Sequence, residues 1–279
     1  MRLAKDVVGG KTKLTESEIR ELTTALIDLY DSKPNIVRTS DDDTIYVGDL
    51  HGDFQSAWAI RDFFMKSPDD SVVFLGDYAD RGPQQIETFN LVMGMAIQYP
   101  ERILMIRGNH ESSKVARMYG FFDVVRSQYN LDLFDAYCEV FKSLPVAGIN
   151  SNGVFSCHGG IPEGVENLSQ IQSIERRFAD LDNPVLYELV WNDPLDGDFH
   201  FRSNMRGGGT RTFGRLAFDK FVNNTSIKLM IRAHEAFSEG YKQFFSGRLI
   251  SVFSTTYSYR VEPKVVRVGR SLIPEVISI

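Results

Sequence analysis

The chain has 279 residues, 43% hydrophobic and 24% charged, with a net charge of −6. That balance is ordinary for a soluble globular protein, and it lacks the basic field that a nucleic-acid or anionic-membrane partner would need. Cys138 and Cys157 give neither a disulfide framework nor metal-type spacing, Met1 to Gly10 holds no apolar signal core, and no run approaches the roughly 18 apolar residues of a membrane span. A reducing, cytoplasmic setting is therefore expected. A chain of this length buries one large core, and with no internal repeat or low-complexity linker a single domain over 1–279 is expected.

Leu14 to Tyr30 reads as the first helix, with Thr15 and Glu18 at capping-box spacing and Ile19, Leu22, Leu26 and Leu29 in one stripe. Asp31 to Asp43, with Pro34 and three consecutive aspartates, reads as a loop. The strand Thr44 to Val47 runs into Gly48-Asp49-Leu50-His51-Gly52-Asp53, and a helix follows from Phe54 to Lys66. Val72 to Leu75 is a buried strand ending in Gly76-Asp77-Tyr78-Ala79-Asp80-Arg81-Gly82, and Pro83 starts a helix toward Gln98. Arg102 to Ile106 is a strand ending in Arg107-Gly108-Asn109-His110-Glu111. This alternation predicts parallel βαβ units.

Ser112 to Lys142 reads as helical, with its aromatic stripes in the core. Val146 to Ile149 and Gly153 to Ser156 flank Asn150-Ser151-Asn152 as a hairpin that delivers Cys157-His158-Gly159-Gly160. Helices are expected at Leu168 to Arg177 and Pro184 to Val190, then an aperiodic loop over Asn192 to Thr212 carrying His200, Arg202 and Arg206. After a helix at Arg215 to Val222, the strand Lys228 to Ile231 ends in Arg232-Ala233-His234-Glu235, and strands at Leu249 to Phe253 and Val265 to Val268 close the chain.

Five apolar strands thus end in metal-competent side chains: Asp49 with His51, Asp77, Asn109 with His110, His158, and His234. Four of the five histidines fall in these clusters, whereas His200 reads as a surface residue. Carboxylate, imidazole and amide oxygen without thiolate suit two divalent ions such as Mn, Fe or Zn rather than a structural zinc cage. Two ions sharing a carboxylate make a site for in-line phosphoryl displacement, generating hydroxide at neutral pH.

These motifs, with Trp191-Asn192-Asp193-Pro194 and Phe213-Gly214, resemble the phosphoprotein phosphatase family of serine/threonine phosphatases, within the calcineurin-like metallophosphoesterases. The resemblance spans Leu14 to Phe253 and is closest to the compact archaeal or bacterial form. It implies an α/β fold, a central β-sandwich of mixed sheets flanked by helices. It implies that Asp49 and His51 hold one ion, that Asp77 bridges both, and that Asn109, His158 and His234 hold the second. By the same resemblance Arg81, Arg206 and Asn109 contact the phosphate, and His110, oriented by Asp80, is the general acid. The segment Arg206 to Phe213 is one residue longer than the family pattern, which leaves Arg202 as the alternative to Arg206. Tyr257 stands near where the family carries an active-site tyrosine. Arg107, Glu111 and Glu235 read as structural ion-pair residues.

The expected activity is dephosphorylation of phosphoserine and phosphothreonine in proteins by direct attack of a metal-bridging hydroxide, with regulatory proteins as further partners. A hydrolase of dinucleoside polyphosphates or other small phosphoesters is the first alternative. A catalytically dead scaffold on the same fold is the second.

Overall fold

The computed structural model describes residues 1–258 and 260–279. Its core is built from two sheets. The first runs in the order Pro274–Ser278, Lys264–Val268, Thr44–Val47, Ser71–Phe74, Ile103–Met105. Its last three strands are parallel, with Ile45 opposite Val72 and Val72 opposite Ile103, as the βαβ pattern requires; Lys264–Val268 is antiparallel to both its neighbours. The second runs Ile36–Arg38, Ala147–Ile149, Val154–Cys157, Leu229–Arg232, Leu249–Val252, Tyr241–Phe244 and mixes both orientations.

The period-2 alternation of strand side chains shows how the sheets pack. Leu229 and Ile231 join a core cluster with Ile45, Val47 and Val72 of the other sheet, while Met230 between them faces Leu186, Phe218 and Phe221. The second sheet is therefore buried on both faces, one against the first sheet and one against the helices Pro184–Trp191 and Arg215–Thr225. The first sheet is covered on its outer face by helices that include Glu16–Asp31, Phe54–Lys66 and Gln85–Gln98. This is a helix-flanked β-sandwich.

Most predicted elements form where expected. The capping box at Thr15 and Glu18 is present, and Asp53 caps Phe54–Lys66 through the Ser56 N–H. Six expectations are corrected. Val265 to Val268 does not close the chain, because Pro274–Ser278 follows and pairs with it antiparallel. Pro83 precedes the cap residue Gln84 instead of occupying the first turn of Gln85–Gln98. The helical stretch from Ser112 to Lys142 divides into Ser113–Tyr119, Phe121–Gln128 and Leu131–Ser143, broken first at Gly120, whose φ of +118° leaves the helix. The expected helix over Leu168 to Arg177 stops at Gln172, and Arg176 beyond it donates to Asn35 Oδ1 and to the carbonyls of Tyr30, Lys33 and Ser143. The loop expected at Asp31 to Asp43 contains the edge strand Ile36–Arg38. Finally, Asn192 to Thr212 is not structureless: Asp193–Pro194, Phe201–Ser203 and Arg211–Phe213 make a small third sheet.

Candidate active site

The C-terminal ends of strands from both sheets meet at one place. An isolated parallel bridge from Asp49 to Phe253 ties the end of Thr44–Val47 to the end of Leu249–Val252. Around it converge the loops carrying His51, Asp77, Asn109, His110, His158, His234 and Tyr257. The loops turn so sharply that His51, Asp77, Asp80, Arg81, His234 and Tyr257 all have positive φ, between 44° and 69°. Gly108 is needed for a related reason, because a Cβ there would lie 2.2 Å from Asp77 Oδ1.

The six predicted ligands are brought together and almost fully buried. His51 Nε2 lies 3.5 Å from Asp49 Oδ2 and 3.7 Å from Asp77 Oδ2. On the other side of Asp77, His158 Nε2 lies 3.4 Å from Asp77 Oδ2, 2.8 Å from Asn109 Oδ1 and 3.2 Å from His234 Nδ1. Asp77 therefore stands between two donor groups. Its other oxygen accepts the His110 N–H at 3.0 Å, and Asp49 Oδ1 accepts the His234 N–H at 2.8 Å, so each carboxylate is aimed by a backbone amide.

The donor chemistry fits cations. His51 Nδ1 donates to the Ala79 carbonyl at 2.9 Å and His158 Nδ1 to the Leu75 carbonyl at 2.8 Å, which turns each Nε2 inward, where a cation that displaces its proton meets the lone pair. His158 Nε2 then faces an amide oxygen, a carboxylate oxygen and another imidazole nitrogen. A ring of acceptors at these distances is repulsive unless a proton or a metal ion sits among them. The ring attracts protons for the same reason that it suits cations. Burial opposes charge on His51, His158 and Asp77, yet Asp49 and Asp77 push His51 up to about 9, Asp77 raises His158, and the three facing imidazoles hold the Asp77 carboxyl well below its usual range. Burial, reinforced by His158, Arg206 and Arg232, keeps His234 neutral and its lone pair available.

Beside this ring lies a cavity of about 250 Å³ lined by Asp49, His51, Asp77, Asn109 and His234, with His158 behind them, and by Arg81, His110, Tyr119, Trp191, Arg206 and Tyr257 among others. His110 Nδ1 donates to Asp80 Oδ2 at 2.6 Å, and its Nε2 lies 3.9 Å from Asp77 Oδ2. His110, His51 and Asp77 could also hold an ion as a trio, since their donor atoms lie within 4.8 Å of one another. The Nδ1–Asp80 bond aims Nε2 at the cavity in either case. Arg81 donates to the Tyr257 hydroxyl at 2.8 Å and stacks on Tyr119 at 4.5 Å. Arg206 lines the cavity and its Nε donates to Asp193 Oδ2 at 2.6 Å, whereas Arg202 stacks on Phe199 at 4.0 Å and does not line it. His200 is exposed, away from the cavity.

Several neighbours of the site were not expected from sequence. Tyr119 ends a helix and carries no motif. Asp53 directly follows the His51-Gly52 pair, and its carboxylate binds the Thr256 N–H at 3.0 Å and both the Thr255 and Thr256 hydroxyls, anchoring the loop that presents Tyr257. Arg107 and Glu111 are structural, but not as an ion pair. Glu111 accepts the N–H groups of Asp77, Tyr78 and Gly108, and Arg107 donates to the carbonyls of Glu111, Arg176, Phe178 and Ala179. Glu235 does pair with Arg232, at 2.9 Å.

Residues 44–237 match the family described as calcineurin-like phosphoesterase. Among solved structures, a protein serine/threonine phosphatase from Saccharomyces cerevisiae with similarity to human phosphatase PP5 superposes with a TM-score of 0.85 at 27% identity, over 95% of this chain and 90% of that one. A cold-active protein-tyrosine phosphatase from a psychrophilic Shewanella species gives 0.63 at 16% identity, over 89% and 84%. A protein provisionally assigned as a diadenosine tetraphosphatase gives 0.51 at 14%, over 88% and 98%. The last two share the fold. Among the described residues no helix is long and apolar enough to cross a membrane.

Proposed function

The chain belongs to the calcineurin-like phosphoesterase family, whose chemistry is metal-dependent phosphoester hydrolysis, and from that premise we propose that it removes phosphate from phosphoserine and phosphothreonine in proteins. The reading rests on the His110–Asp80 pair at the mouth of the ligand ring. A serine or threonine alkoxide is a poor leaving group, and a positioned acid matters most for such a group. The 27% identity to a yeast serine/threonine phosphatase supports the same choice.

In this reading residues 1–279 form one cytoplasmic catalytic domain. Asp49 and His51 would hold one divalent ion and Asn109, His158 and His234 the other, with Asp77 placed to serve both; Mn, Fe and Zn all suit the donor set. When bound, such a pair neutralises phosphate charge and makes a water acidic enough to act as nucleophile near neutral pH. Arg81 and Arg206 grip phosphate oxygens with planar guanidinium donors, assisted by the Asn109 amide, and Tyr257 steadies Arg81. Asp80 fixes the tautomer of His110, whose Nε2 delivers a proton to the leaving oxygen.

The test is kinetic comparison, with manganese present, of phosphoserine and phosphothreonine peptides, phosphotyrosine peptides and dinucleoside polyphosphates. The first class should have the highest kcat/KM. A clear preference for either of the others overturns the proposal.

A further inference from the structure

The catalytic cavity does not end at the ligand ring. It shares His51, Arg81 and Tyr257 with an adjoining hollow of about 520 Å³ walled by Pro83, Thr256 and Arg260. That hollow in turn shares Phe54 and Gln55 with a third, of about 450 Å³, floored by Trp58 and rimmed by Gly10 and Thr12. Through these shared residues the three hollows adjoin in series, a trough along the first turns of the helix Phe54–Lys66.

The chemistry changes along its length. The inner part carries more positive than negative charge. Arg81 and Arg260 line its wall, against the single carboxylate of Asp53, whose oxygens face the Ser56, Thr255 and Thr256 donors. The outer part is apolar. Phe54 and Trp58, one helical turn apart, are only half-buried, and their rings pack at 5.8 Å with the Arg61 guanidinium over the indole at 4.7 Å. Asp62 at the far end is paired with Arg61 at 2.5 Å. Half-exposed, pre-packed aromatic rings next to a functional cleft are the usual anchors of a recognition surface.

A small phosphoester is accommodated by the catalytic cavity alone; the rest of the trough is useful only to a ligand that continues out of it. We propose that the trough seats an extended stretch of the substrate polypeptide, with an acidic residue beside the phosphoresidue near Arg260 and a large apolar side chain against Phe54 and Trp58. This rests on the phosphoprotein reading above and adds the sequence class that would be preferred. Continuity with the catalytic cavity and the order of charge then apolar surface both select a peptide over a second copy of the chain.

The experiment uses the full chain and synthetic phosphoserine peptides in which a leucine or phenylalanine is walked residue by residue away from an acidic-flanked phosphoserine, on either side. One position should raise kcat/KM by about tenfold over an alanine peptide, mainly through KM. Trp58→Ala should abolish that preference and leave aryl phosphate turnover unchanged, and Arg260→Glu, on an exposed loop, should remove the preference for the acidic residue. Equal rates for all peptides, or a Trp58→Ala variant that keeps the preference, overturns the trough proposal while leaving the phosphatase reading intact. A wild-type chain that is dimeric in light scattering, with Trp58→Ala monomeric and no peptide preference, also overturns it, because a second copy would then cover the rings. Failure of every phosphoserine peptide, with aryl phosphate or dinucleoside polyphosphate cleaved, instead overturns the phosphoprotein reading.

Discussion

Asp80 holds two partners at once: Oδ2 accepts His110 Nδ1–H at 2.6 Å and Oδ1 accepts the Phe121 N–H at 2.8 Å. The histidine is thus oriented by a carboxylate that is itself fixed to the start of a helix. Its ring also meets His51 edge-on at 4.6 Å and lies 5.0 Å from Tyr119, so its rotation is restricted on several sides.

If His110 is the proton donor, His110→Asn should keep both metals and lose about 10²–10⁴-fold on phosphoserine peptides, the usual contribution of a positioned acid. The loss should be distinctly smaller on an aryl phosphate, whose phenolate leaves without help. Metal analysis and the ratio of the two kcat/KM losses decide it. Equal losses, or a missing metal, would assign His110 to the His51–Asp77 trio instead.

Asp77 faces donors on two sides, so Asp77→Asn should affect both ions. A neutral amide bridges cations poorly, and most activity and at least one equivalent of bound metal should disappear. Full occupancy with near-normal turnover would show that two ions are not required.

Arg206→Ala should lower kcat/KM and weaken inhibition by inorganic phosphate together. Loss of a charged hydrogen bond costs about 1.5–3 kcal/mol, one to two decades in rate constant. Arg202, stacked on Phe199, should be nearly silent when changed to Ala. The opposite pattern would move the phosphate grip by four residues.

Arg107 is buried, and desolvation pulls its guanidinium down to about 10, so it remains cationic at neutral pH. Arg107→Met would leave the carbonyls of Glu111, Arg176, Phe178 and Ala179 without their donor. A destabilisation of about 3 kcal/mol or more is expected from denaturant melts. A loss below about 1 kcal/mol would mean that water replaces the side chain without difficulty.

The ligand clusters were legible in the sequence because each directly follows an apolar strand, so one short window contains both the positioning element and the chemistry. Asp49, Asp77, Asn109, His158 and His234 are of this kind. Tyr119 and the anchoring role of Asp53 were not, since they depend on contacts with Arg81 and with Thr255 and Thr256, the last some two hundred residues away. The strands Ile36–Arg38 and Asp193–Pro194 were missed because two or three residues carry no period, and only their partners near Ala147 and Thr212 make them strands. Arg107 and Glu111 looked like an ion pair because sequence shows charges but not the backbone groups that each side chain reaches.

The left-handed backbone at the site has a price in heat resistance. Of the six side chains that the site places in the left-handed region, Asp77 and Asp80 tolerate it nearly as asparagine does, whereas Arg81 and Tyr257 carry the cost most clearly, at roughly 1–2 kcal/mol each. The rest of the sandwich holds these loops in tension, so a less active protein should be a hardier one. Tyr257→Asn, at φ 46°, illustrates it: the melting temperature should rise by about 2 °C while kcat/KM falls. A lower melting temperature would show that the tyrosine's contacts with Arg81 and His51 outweigh the backbone relief. Thermal selection on this chain would be expected to erode the catalytic loops first and the two sheets last.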